Sequence, residues 1–292
     1  MWLVITIQHG RVYWTLVTRQ PVQRRRTSSI IVYNRQNIVE LSVSLQKKMT
    51  IMSTVIDWNK YKQASDDEKI QMLKDGAEKG DALCQFGYGY HLVEKDNETS
   101  MHWFEESAKQ GFILAYHALG FYSTGFKAWV WLSQSVERGC TASWLALGYY
   151  YENCPEVRDR FLAYQCYLNA VQQEYDEDGF KKMLGPIYSD DLWDALTLDS
   201  ASLVAGAMCL LGRLYFDARD VTHDINAGIE WLTKASENGN WEASYTLGYL
   251  YAKGSFGIKR DTEKAKRLFE PLKNNVDKSQ MEKLRFALSL CK

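Results

Sequence analysis

The sequence predicts an all-α fold, a right-handed solenoid of stacked helical hairpins. Three observations predict it. A unit of the form small–x–x–x–apolar–Gly–x–x–aromatic recurs along the chain, and a second unit of the form small–x–x–Trp follows it, with a glycine eight residues after the Trp. Neither unit has a stripe it can bury alone, so the copies must stack.

The first unit is clear as Ser143…Leu147-Gly148…Tyr151, Ala207…Leu211-Gly212…Tyr215 and Ala243…Leu247-Gly248…Tyr251. Weaker copies are Cys84…Tyr88-Gly89, with Leu92 in the aromatic place, and Ala115…Leu119-Gly120, with Ser123 there. Offsets of four, one and three put these positions on one helical stripe. A glycine inside a helix costs about 1 kcal/mol against alanine, so its recurrence requires close approach of a neighbouring helix. The second unit runs from Trp103 to Gly111, Trp131 to Gly139 and Trp231 to Gly239. Cys166 and Leu268 take the Trp place in two further copies, with Glu174 and Val276 at the glycine place. Its Trp and small residues form the expected opposing stripe, and its last glycine is a helix stop. An incomplete copy, Met72 to Gly80, comes first. The central glycines step by 31, 28, 64 and 36 residues, so the long step is one unit plus an insertion, residues 175–202.

The series Leu247-Gly248-Tyr249-Leu250-Tyr251, Gly254-Ser255-Phe256-Gly257-Ile258, Asp261 and Lys264-Ala265 resembles the Sel-1-like repeat, a relative of the tetratricopeptide repeat. Trp231-Leu232-Thr233-Lys234-Ala235 with Asn238-Gly239 is similar to that family's second helix. The resemblance spans about residues 70–275. The first two copies lack the Gly-rich hairpin loop, and Pro271 interrupts the last second helix. The resemblance implies five or six hairpins, in a chain that binds proteins as an adaptor, a regulator or an antidote to a bacterial toxin. It also implies that positions three before and one after each central glycine line a concave groove. Here these are Phe86, His117, Leu145, Cys209 and Tyr245, with Tyr90, Phe121, Tyr149, Arg213 and Tyr249. Aromatic and Arg side chains are the types that anchor interfaces. The alternative for these rings is packing between hairpins.

Outside the repeat the chain is heterogeneous. Residues 1–51 hold eight Lys/Arg against Glu40, a balance of +7 that leaves −8 for residues 52–292. They include Arg24-Arg25-Arg26 and β-prone runs on either side of His9-Gly10. They read as a disordered segment or a misassigned start, with translation beginning at Met49 or Met52. The repeat solenoid is then 52–292. An apolar fraction of 46% excludes a disordered chain, and a net charge of −1 gives no reason to expect nucleic acid. The longest apolar stretches, Trp2–Ile7 and Leu203–Leu211, fall far short of a membrane span.

Chemistry-bearing motifs do not emerge. Six cysteines without C-x-x-C spacing read as buried thiols in a reducing, cytoplasmic setting. Five scattered histidines have no ligand spacing, so no metal or cofactor is expected. No nucleophile elbow or phosphate loop appears. A hydrolase akin to the penicillin-interacting members of the family would carry paired cysteines in each hairpin; this chain does not. The insertion is the other candidate surface. Asp176, Glu177, Asp178, Asp190, Asp191, Asp194 and Asp199 against Lys181 and Lys182 give it −5. With Phe180, Leu184, Ile187, Leu192, Trp193 and Leu196 it should form an amphipathic helix. Asp190, Asp191, Trp193 and Asp194 are candidate partner contacts on an acidic projection. The expectation is a non-catalytic scaffold with a protein partner; a connector whose apolar side completes the stack is the plainer alternative.

Overall fold

A computed structural model describes residues 2–8, 11–17, 55–216, 224–274 and 277–291. The chain divides into two units, Met1–Asn34 and Arg35–Lys292. In the first, β1 (Trp2–Gln8) and β2 (Arg11–Val17) pair antiparallel, with Trp2 opposite Val17 and Gln8 opposite Arg11. The β-branched and aromatic residues that make up most of both runs suit such a ladder. The arginine run at 24–26, Met49, Met52 and His223 lie outside the described residues.

The second unit is helical throughout its described residues. It begins with α1 (Trp58–Gln63) and α2 (Asp66–Glu78), the incomplete copy. Five hairpins follow among the described residues: α3 (Ala82–Leu92) with α4 (Asn97–Lys109), α5 (Ile113–Tyr122) with α6 (Gly125–Glu137), and α7 (Ser143–Asn153) with α8 (Arg160–Gln172). The insertion supplies α9 (Glu177–Leu184), a 3-10 turn (Gly185–Ile187) and α10 (Asp190–Ala195). The last two hairpins are α11 (Ser200–Leu214) with α12 (Ile225–Glu237), and α13 (Trp241–Lys253) with α14 (Thr262–Phe269). Pro271 opens a 3-10 turn where α14 stops, and α15 (Lys278–Ser289) packs on α13 and α14. Because α11 packs directly on α8, the stack continues past the insertion as though it were absent.

Local chemistry sets the helix ends. Asp81, Asp96, Asp159, Asp199, Asp224 and Asp261 each accept a backbone N–H from the first turn that they cap. Gly111 and Gly239, after α4 and α12, take φ of +88° and +80°, which an L side chain rarely adopts.

The central glycines mark the closest helix crossings. A Cβ on Gly120 would stand 2.5 Å from Leu132 Cγ, and one on Gly212 would stand 2.7 Å from Leu232 Cγ and 3.0 Å from the Gly228 carbonyl oxygen. On Gly148 or Gly248 it would run into the ring of Tyr167 or Phe269, and on Gly89 it would reach Phe104 at 3.0 Å. The small residues of the second unit, Ser100, Ala128, Ala163, Gly228 and Ala265, are all buried at these crossings. Ser100 Oγ also donates to the Gly89 carbonyl at 2.7 Å.

One expectation needs correcting. The side chain that fills each crossing is not the Trp but the residue after it: Phe104, Leu132, Tyr167, Leu232 and Phe269. Each residue turns a helix by about 100°, which carries Trp103, Trp131 and Trp231 to the flank of the contact. There they are half-buried, Trp103 edge-on to Tyr88 at 5.9 Å and Trp131 against Tyr116 at 6.1 Å. Trp231 holds the Lys234 ammonium 4.8 Å from its ring centre.

The insertion folds back over the first hairpins. Phe180, Leu184, Ile187, Leu192, Trp193, Leu196 and Leu198 share one buried core with Phe86, Phe104 and Leu114. Ile187 lies against Gly87 on α3, and its 3-10 turn reaches α1. Residues Asp190–Leu214 are long and apolar enough, by length and composition, to cross a bilayer. That run breaks at Thr197, whose φ is +52°, and is capped afresh by Asp199. Its apolar side chains enter the repeat core, and core helices pass the same test.

Candidate partner-binding surface

The positions expected to line a groove divide sharply by depth. Phe86 and Cys209 are core, at 0% and 2% exposure, and His117 is at 2%. These three do not face an open groove: Phe86 packs on Phe104 and Phe112, His117 meets the Leu196 carbonyl of the insertion, and Cys209 packs against Leu232 and Leu247. Leu145 is half-buried between two core clusters. Tyr90, Tyr245 and Tyr249 are half-buried, whereas Phe121 and Tyr149 are 42% and 54% exposed. Arg213 is exposed and pairs with Glu242 at 2.7 Å. On α13, Trp241, Tyr245 and Tyr249 stack in sequence, and the Tyr245 hydroxyl donates to the Lys283 carbonyl of α15 at 3.4 Å. The C-terminal end of this face is therefore partly used in holding the last helix.

His117 ties the insertion down. Its Nε2 lies 2.9 Å from the Leu196 carbonyl, and its Nδ1 lies 2.8 Å from Ser143 Oγ. Ser143 Oγ donates onward to Ser135 Oγ at 2.7 Å, so both ring nitrogens are called on as donors. Burial opposes a charged imidazole, yet hydrogen bonding with Cys140 and the Leu196 carbonyl holds its pKa above the ordinary value. Cys140 is correspondingly held below its own, with His117 and the two serines outweighing burial. Histidine, thiol and hydroxyls meet here, but all four side chains are sealed in the core.

The insertion has two faces. On α10, Leu192 and Trp193 point inward, Trp193 at 4% exposure, so it does not project towards a partner as the sequence suggested. The Lys181 ammonium sits over its ring at 5.2 Å. Asp190, Asp191 and Asp194 form the outer face and are exposed. The Tyr90 hydroxyl donates to the Asp191 carbonyl at 3.3 Å. Burial, then the Asp191 and Glu94 carboxylates, push the Tyr90 phenol up. The neighbouring Tyr122 phenol is pushed to about 12 by burial, Tyr90 and Glu94. Sequence reasoning missed Glu94, which has no place in the repeat pattern, and the apolar residue after each Trp, which recurs in every copy and could have been found.

All six cysteines are free and buried. Among the described residues, no group of three or more His, Cys, Asp or Glu is placed to hold a metal. A small crevice lined by Thr141, Leu145, Gln173, Tyr175, Ser200 and Leu203 has room for about one water molecule.

Comparison with known proteins agrees with this geometry. The Sel1 repeat model matches residues 82–112, 205–240 and 241–272, which fall on three of the five hairpins. A Sel1 repeat protein from Oxalobacter formigenes is similar in structure, with a TM-score of 0.55 and 19% identity over 83% of this chain and 98% of that one. A sel1 repeat protein from Klebsiella pneumoniae aligns with a TM-score of 0.43 and 18% identity, over 75% of this chain and 98% of its own. A comparison with curated proteins gives no match. The matched segments carry the same glycine crossings as the hairpins between them, and the three matched segments are Sel1 repeats.

Proposed function

We propose that this chain is a non-catalytic scaffold or regulator that binds another protein on the first-helix face, at Phe121 and Tyr149 and along the outer side of α10. Sel1 repeats generally mediate protein–protein interaction and are typically non-catalytic. One observation carries the choice of face. Phe121 and Tyr149 stand one residue past the repeat glycine on neighbouring first helices, and both rings are left in solvent. Aromatic rings held rigidly at a surface are typical anchors of an interface. The sealing of His117 and Cys140 supports the non-catalytic reading. The buried free thiols support a reducing, cytoplasmic setting.

Affinity capture tests the reading, with the wild-type chain and the Phe121→Ala/Tyr149→Ala variant as paired baits. A protein recovered by the first and lost from the second supports it, and a single dominant species would fit an antidote to a toxin. Recovery of the same proteins by both baits overturns it.

A further inference from the structure

Two segments that belong to no hairpin are held by first-helix side chains through their main-chain carbonyls. At the insertion, the Tyr90 hydroxyl on α3 donates to the Asp191 carbonyl at 3.3 Å, and His117 Nε2 on α5 lies 2.9 Å from that of Leu196. At the other end, the Tyr245 hydroxyl on α13 donates to the Lys283 carbonyl of α15 at 3.4 Å. Tyr90 stands one residue after a repeat glycine, and His117 and Tyr245 stand three before one. These are the positions expected to line the groove. Every peptide carries main-chain carbonyls, so donors that hold the chain's own segment would hold a partner's equally well.

The way the insertion is held points to release. α10 ends in a Schellman turn, in which the Leu198 N–H donates to the Trp193 carbonyl at 3.1 Å and the Thr197 N–H to that of Asp194 at 2.9 Å. Thr197 takes the left-handed place that glycine normally fills, with φ of +52°. It is β-branched and exposed, so its side chain brings no burial to offset the strain. The carbonyls on either side are clamped, Leu196 by His117 and Leu198 by the Tyr175 hydroxyl at 2.6 Å. Backbone strain of this kind persists only where the surroundings impose it. Within the insertion, the Lys181 ammonium lies 5.7 and 5.2 Å from the ring centres of Tyr188 and Trp193, so α9 and α10 hold one another. The stack closes without them, since α11 packs directly on α8.

We propose that the insertion is a built-in occupant of the groove, a strap hinged at Thr197 that swings out and yields its place to a partner's short helix with apolar residues spaced as Leu192, Trp193 and Leu196. Closed, it seals His117; open, it frees His117 and Tyr90 to take the partner's carbonyls. This goes beyond the protein-binding reading above, since the strap's site needs neither Phe121 nor Tyr149.

The experiment is amide hydrogen exchange, read by mass spectrometry on the full chain, together with fluorescence anisotropy of a labelled peptide that has the sequence of residues 188–198. In the wild type, residues 177–198 should exchange together and faster than α5 and α13. Thr197→Asn suits a positive φ and should slow that exchange about fivefold. Trp193→Ala loosens the strap and leaves the groove side chains in place, so it should speed the exchange at least tenfold while α13 remains protected. Peptide affinity should follow the open fraction: at least tenfold tighter for Trp193→Ala than for wild type, weaker for Thr197→Asn, and absent for a scrambled peptide. Exchange of 177–198 at the rate of α5 in every chain, or unchanged exchange in Thr197→Asn, overturns the proposal. So does peptide binding that is equal in all chains or absent from a folded Trp193→Ala. If Trp193→Ala does not fold, the Thr197→Asn comparison decides alone. If capture of a partner depends on Phe121 and Tyr149 while the strap stays shut, only this inference falls. If capture ignores those rings while the strap opens and the peptide binds, only the choice of Phe121 and Tyr149 falls.

Discussion

Substituting Gly120 by alanine tests the packing logic of the whole array. Helix propensity alone says the change stabilises by about 1 kcal/mol. The structure says otherwise, because the new Cβ would stand 2.5 Å from Leu132 Cγ, 2.6 Å from its Cδ2 and 3.2 Å from its backbone nitrogen. Leu132 has 0% exposure, so it has no free volume to move into. Overpacking of this kind costs about 1–3 kcal/mol, and a contact this short belongs at the upper end. The net expectation is a destabilisation of about 1–2 kcal/mol, set against the propensity gain. Leu132→Ala should itself cost about 2–5 kcal/mol, but it removes the clashing carbons. Against that background Gly120→Ala should be neutral or stabilising, giving a coupling of about 2 kcal/mol in a double-mutant cycle. Urea unfolding followed by far-UV circular dichroism measures all four chains, with m unchanged. A stabilising Gly120→Ala in the wild type, or additivity within about 0.5 kcal/mol, would refute the reasoning.

Other predictions concern the insertion and the core. Trp193→Ala should cost about 3–5 kcal/mol, because the ring is 4% exposed in the shared core, whereas Asp194→Asn should leave the urea midpoint nearly unchanged. Equal midpoint shifts would mean that the insertion is not docked as described. Glu177 accepts from Lys181 Nζ and Ser200 Oγ, both at 2.7 Å, and these bonds hold its carboxyl below the ordinary 4.5. Its folded pKa is depressed, so its contribution is present above the unfolded value and is lost as pH falls through the folded one. Glu177→Gln should flatten that acid limb of stability against pH; an identical limb would remove the assignment. Burial pushes the Cys84 and Cys166 thiols up, and Cys209 to about 12. A thiol reagent at neutral pH should therefore label the native chain slowly and all six cysteines in urea; rapid native labelling would contradict the packing.

The glycine spacing, the small residues of each second helix and the stop glycines were all legible in the sequence, because each repeats and each answers to a local rule. The crossing partner was misread by one position. The eye goes to Trp103, Trp131 and Trp231, while the helix phase favours the smaller residue that follows. The candidate surface was legible only in part. A position in the repeat specifies which way a side chain leaves its helix, which is why Phe121 and Tyr149 were identified and are exposed. It does not specify what else lies there.

By itself, then, the sequence determined the hairpin array, since propensity, capping and periodicity act within about one turn of the chain or recur from copy to copy. Only the tertiary structure decided where the insertion goes. Leu192, Trp193 and Leu196 could as well have completed the local stack. Instead they join the core of the first hairpins, and the Leu196 carbonyl meets His117, some 80 residues earlier in the chain. No local pattern encodes that, because burial rewards any apolar surface of matching shape, whatever its separation along the chain. That placement takes His117 out of the expected groove, seals it with Cys140, and leaves three aspartates on the outside.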